Sequence, residues 1–134
     1  MKATTYQLNN LLNYLMGKAA YTPPATWYLG LSTSLIAIDG AYTEPAGNGY
    51  DRVAITNNAA NWTTALITNL IISNKIAASF PVSTGAWGTI QSIFLADAAS
   101  GDYVCYYTAA TPAFTVGNDI IVSFPIGSIT TTRT

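Results

Sequence analysis

The chain has 134 residues, the length of one domain (residues 1–134), and carries five Lys+Arg against six Asp+Glu with no histidine. Charged residues are 8% of the chain where about 25% is typical, so the surface must be neutral and polar. Five scattered cations cannot neutralise the roughly six to ten phosphates that a duplex-binding surface contacts, and no apolar run approaches the ~20 residues of a membrane-spanning helix. Neither nucleic acid nor membrane is an expected partner.

The N-terminal stretch MKATTYQLNNLLNYLMGKAA places Gln7, Asn9, Asn10 and Asn13 where a signal peptide needs about 7–15 apolar residues, which predicts synthesis in the cytoplasm. Leu8, Leu11, Leu12, Leu15 and Met16 fall at i, i+3, i+4, i+7 and i+8, one apolar stripe of an amphipathic helix over residues 5–16. Thr4 and Gln7 have capping-box spacing, and Gly17 is placed to end the helix in a left-handed turn. That stripe either docks on the chain's own strands or packs on a neighbouring subunit.

From Thr22 onward Pro, Gly and Asn punctuate short β-branched and aromatic runs, and residues 22–132 read as strands. TWYLGLS puts Trp27, Leu29 and Leu31 on one face; DRVAIT pairs Val53 with Ile55; KIAASF aligns Ile76, Ala78 and Phe80. TIQSIFLAD carries Ile90 and Phe94 on one side and Ile93 and Leu95 on the other, the mark of a central strand covered on both faces. A hairpin through residues 98–102 leads to YVCYYTA, and Ile120 to Phe124 and Ser128 to Thr132 close the set. ALITNLII, residues 65–72, fits helix or strand. Seven or eight such strands predict a mainly β fold, a single jelly-roll-like β-sandwich with one N-terminal amphipathic helix. The long connection Thr33 to Tyr50 has the length of a functional or mobile loop.

Without histidine, Ser, Thr and Cys105 lack their usual activating base. Cys105, the only cysteine, excludes an intrachain disulfide and reads as a buried strand residue. Asp39, Glu44, Asp51, Asp97, Asp102 and Asp119 are the candidate carboxylates for glycosidase chemistry. Asp97, Asp102 and Asp119 lie at turns or strand ends, where Asp bonds its own backbone. No Cys/His cluster or calcium loop is present, so neither metal nor cofactor is expected, and the sequon Asn61-Trp62-Thr63 matters only in a glycosylating route. Trp27, Phe80, Phe94 and Phe124 read as core, whereas Tyr42, Tyr50 and the Tyr106-Tyr107 pair are candidates for a partner surface.

AYTPPATWYLGLSTS, TEPAGNGYDRVAITNNAANW, SFPVSTGAWGTIQSIFLADAASGDYVCYYTA and VGNDIIVSFPIGSITTT, in that order behind an amphipathic helix, resemble a family of small tailed-bacteriophage virion proteins of short tail-fibre or minor tail type. The resemblance implies a non-enzymatic structural protein on the exterior of the particle. Its partners would be further copies of itself, as a homo-oligomer, and other virion proteins, the major capsid protein or tail proteins. The absence of long repeats or heptads favours decoration or cementing of the capsid, with a minor tail or short tail-fibre accessory as the alternative and a glycan-binding module as the second alternative. The interaction residues expected are Leu8, Leu11, Leu12, Leu15, Met16, Tyr42 and Tyr50.

Overall fold

The computed structural model describes residues 1–65, 71–101 and 103–132. Asp102 and residues 66–70 of the ambiguous ALITNLII stretch lie outside them. In chain order the elements are β1 (Lys2–Ala3), α1 (Thr5–Leu15), β2 (Thr26–Ser32), β3 (Val53–Thr56), β4 (Ile71–Ser73), β5 (Ala78–Ser79), β6 (Gly88–Ala96), β7 (Val104–Val116), β8 (Ser123–Phe124) and β9 (Thr130–Thr132). The fold is mainly β, antiparallel throughout, with one helix among the described residues. A five-stranded sheet has the order β1-β7-β6-β2-β3, and the ribbons β4-β9 and β5-β8 supply the remaining strands.

β2 coincides with TWYLGLS, but KIAASF shortens to Ala78–Ser79 and the strand expected from Ile120 shortens to Ser123–Phe124. Ile76, Ile120 and Ile121 are exposed instead. Pairing in these segments gives way to side-chain bonds. The buried Asn74 amide donates to Ile76 O at 2.7 Å and Pro125 O at 3.0 Å, and its oxygen accepts from Ile129 N at 2.8 Å. Ser83, also buried, donates to Gly117 O at 2.6 Å and accepts from Ile120 N at 2.9 Å.

β6 is central, between β2 and β7, as its apolar content requires. The expected pairing of faces is corrected, however. The register with β7 shifts between Ile90, opposite Phe114, and Ser92, opposite Ala109, and this bulge reverses the alternation at Gln91. Ile90 therefore joins Leu95, Leu29, Leu31, Ile55, Phe80 and Trp87 in the main core. Phe94 faces the opposite way and packs with Ile36, Ala96 and Val104 in a second cluster. Trp27 and Phe124 are half-buried against the main core, while Phe80 and Phe94 are fully inside.

The second cluster depends on Gly30. A Cβ at this position would stand 2.2 Å from the Phe94 Cζ, so the Phe94 ring occupies the space that any larger residue would need. Gly30→Ala should destabilise the protein by about 2 kcal/mol or more through overpacking, read as a lowered denaturation midpoint. A midpoint equal to wild type would contradict this close contact.

Candidate attachment surface

Thr4 starts α1 from a buried position. Its hydroxyl accepts from Gln7 N at 3.4 Å and donates to Val104 O at 2.6 Å, while its own N–H bonds Cys105 O at 2.9 Å, extending the β1–β7 pairing. The helix ends as its sequence requires. Gly17 has φ +65°, its N–H bonds Tyr14 O at 3.1 Å, and Lys18 N bonds Asn13 O at 2.8 Å, a Schellman arrangement. Both ends are thereby satisfied.

The side that α1 turns inward is polar. Gln7 is its one buried residue, and its amide nitrogen donates to Tyr21 Oη at 3.1 Å and Tyr106 Oη at 3.4 Å. Four of the five stripe residues are turned outward: Leu8, Leu12, Leu15 and Met16 are 40%, 60%, 76% and 65% exposed, while Leu11 is half-buried. The stripe does not complete the chain's own core. Beside it runs an apolar groove of about 250 Å³, lined by Ala3, Leu8, Leu11, Leu12, Leu15, Tyr106 and Thr132. α1 itself, TYQLNNLLNYL, contains no charged residue. A contiguous apolar patch of this kind is the ordinary mark of an interaction surface.

Tyr42 and Tyr50 sit elsewhere and point inward. Glu44 and Arg52 form a bidentate pair, Nη2 to Oε2 at 2.7 Å and Nε to Oε1 at 2.9 Å. The Arg52 side chain is only 2% exposed. Its remaining N–H groups donate to Ala98 O at 2.7 Å, Tyr42 Oη at 2.9 Å and Gly101 O at 3.2 Å, and its guanidinium lies 5.1 Å from the Phe94 ring centre. Burial disfavours its charge, but Glu44 more than offsets this, so the Arg52 pKa is raised. Tyr50 donates to Glu44 Oε1 at 2.7 Å, accepts from Leu31 N at 2.9 Å, and stacks against Phe80. The connection from Thr33 to Tyr50 is thus clasped to the β6–β7 hairpin. The cue to this clasp was Glu44 followed eight residues later by Arg52 in a chain almost without charge.

Most of the reactive candidates have a local partner, although the buried Asp97 Oδ1 has none among the described residues. Asp39 accepts from Ala41 N at 3.1 Å, Asp119 accepts from Asn118 Nδ2 at 3.1 Å, and Asp97 accepts from Tyr6 Oη at 3.1 Å; Asp51 is exposed. Among the described residues, no three His, Cys, Asp or Glu converge as metal ligands. Cys105 is buried, and burial, reinforced by the nearby Asp97 charge, pushes its thiol up to about 12. That value leaves almost no thiolate at neutral pH.

Two outcomes follow from this geometry. Glu44→Gln leaves the Arg52 charge buried without its counterion and should cost about 3 kcal/mol in chemical denaturation, whereas an unchanged midpoint would show that the clasp does not hold the loop. Burial also raises the Tyr50 and Tyr106 phenols, so with Cys105 the folded state keeps protons that the unfolded chain releases above roughly pH 9–10. Stability present below that range should then fall as pH rises through the raised folded values. Thermal melts should show a melting temperature that declines from about pH 9 upward, and one that rose there would contradict these burials.

No curated protein matches the chain. A family profile described as the podophage GP4 fiber I protein gp80 matches residues 2–132, from β1 through the helix and every later strand to the last residue of β9. The chain belongs to this podophage fibre protein family.

Proposed function

We propose that this protein is a non-enzymatic structural subunit of the tail-fibre apparatus, held in the virion by the outward stripe of α1. Membership of the fibre family over residues 2–132 carries this reading, and it favours the tail-fibre alternative over the capsid decoration expected from the sequence. The chemistry of the chain agrees: histidine is absent, and Asp39, Asp119 and Glu44 are engaged within turns and the loop clasp. Leu8, Leu12, Leu15 and Met16 supply the adhesive surface, since each buried leucine-sized side chain is worth roughly 1.5–3 kcal/mol. A net charge of −1 leaves little repulsion between neighbouring copies or against other virion proteins. Tyr42 and Tyr50 shape the molecule from within rather than meeting the partner.

Leu12→Asp together with Leu15→Asp tests the role of the stripe. Both positions are exposed, so the isolated variant should melt within a few degrees of wild type. It should nevertheless be missing from purified particles that contain the wild-type protein. Incorporation of the variant at the wild-type level would remove α1 as the attachment element. Failure of the wild-type protein to co-purify with particles would remove the structural role itself.

A further inference from the structure

On the other side of Leu11 and Tyr106 from the apolar groove lies a second one, of about 410 Å³, a size within the range of small-molecule sites. The residues lining it include Tyr21, Trp27, Trp62, Tyr106, Gln7, Asn57 and Asn58, with threonines at its edge, and no charged side chain among the described residues. Its walls are fixed before any ligand arrives. Asn57 Nδ2 donates to Pro24 O at 2.9 Å, tying the residues after β3 to those before β2. Asn58 Oδ1 accepts from Ala60 N at 3.1 Å and Asn61 N at 3.0 Å, and Trp62 N bonds Asn58 O at 3.0 Å, so the turn carrying Trp62 is locked. Tyr21 Oη donates back to Gln7 Oε1 at 3.3 Å, and the Trp27 ring meets Tyr106 edge-on at 5.8 Å and 73°.

Trp62 is 6% exposed, yet its indole Nε1–H has no hydrogen-bond acceptor among the described residues. A buried donor of this kind is normally paired. By contrast, the indole of Trp87, outside the groove, donates to Asn48 O at 2.8 Å. Tyr21, Trp27 and Tyr106 are only partly buried, leaving ring surface open to the groove.

The geometry points to a binding site for a neutral sugar ring. The C–H face of a pyranose is apolar and packs on half-exposed aromatic rings, while its hydroxyls both donate and accept, which matches the amides and phenols of the walls. The described walls offer no counter-ion to a phosphate, sulfate or carboxylate. The amides and phenols set into the walls make the groove less suitable for a lipid chain than the largely apolar groove beside it. This assignment goes beyond the attachment role and is independent of it, because the isolated protein presents the groove.

Titration of ¹⁵N-labelled protein with maltotriose, cellotriose and N,N′,N″-triacetylchitotriose tests the site through the three tryptophan indole signals. With at least one of these probes, the Trp62 and Trp27 signals should shift saturably, with Trp87 unmoved as an internal control. Tyr21→Ala removes a ring outside every strand and helix; it should weaken that binding about tenfold or more in a protein that stays folded. Should Tyr21→Ala melt low, Tyr21→Leu, which keeps apolar bulk and removes only the ring and hydroxyl, replaces it with the same expected loss. The assignment is overturned if no probe shifts Trp62 and Trp27 up to about 10 mM, if Trp87 moves equally, or if the folded variant binds as wild type does. None of those results bears on particle incorporation, so this assignment and the attachment reading fail separately.

Discussion

The Phe94 ring, seated in the space left by the missing side chain of Gly30, is the contact on which the other arrangements depend. It fixes β2 against β6 at the pair Gly30–Phe94. The outer side of the same ring receives the Arg52 guanidinium at 5.1 Å and the Tyr42 ring at 4.9 Å. A cation over an aromatic face is attracted to the ring quadrupole, and more strongly when both are withdrawn from water. One phenylalanine therefore joins the sheet, the long connection and the hairpin tip. Its orientation depends in turn on the bulge at Gln91, which puts Ile90 and Phe94 on opposite sides of β6.

Elements specified by local chemistry were legible in the sequence. Thr4, Gly17 and the leucine spacing define α1 within one residue of its observed end, and TWYLGLS defines β2 without error. What escaped was long-range. β1 has two residues and no periodicity, and exists because Lys2 and Ala3 pair with Tyr107 and Tyr106 across the chain. The register shift at Gln91 leaves no mark in TIQSIFLAD, since its extra residues, 110–113, belong to the neighbouring strand β7. Tyr42 and Tyr50 looked like surface aromatics because their partners, Arg52 and Glu44, become neighbours only when the loop folds back. The leucine stripe was visible, but periodicity cannot say whether an apolar face meets its own chain or another.

Polar residues do structural work here that strands do in larger β folds. Asn74 and Ser83 hold the segments around β4, β5, β8 and β9 through bonds to backbone groups that short ribbons leave unpaired. Buried carbonyl and N–H groups must find partners, and a neutral amide or hydroxyl provides them with less desolvation penalty than a charged group would bring. This permits a chain that is 8% charged to keep a well-connected interior and a plain exterior. The exterior is then distinguished by its two grooves, one apolar and one mixed aromatic and amide, on either side of Tyr106.

The Arg52–Glu44 pair is the one ion pair among the described residues, and it is shielded, at 2% and 20% side-chain exposure. Dissolved ions screen charges that face water, over about 8 Å at physiological ionic strength, and act far less on pairs held inside. Most fold-holding contacts here are apolar packing or neutral hydrogen bonds, which the ionic atmosphere does not weaken. The molecule therefore offers dissolved ions few charge contacts to screen, unlike proteins braced by surface ion pairs. A virion part built in this way has little in its fold for the surrounding ions to weaken.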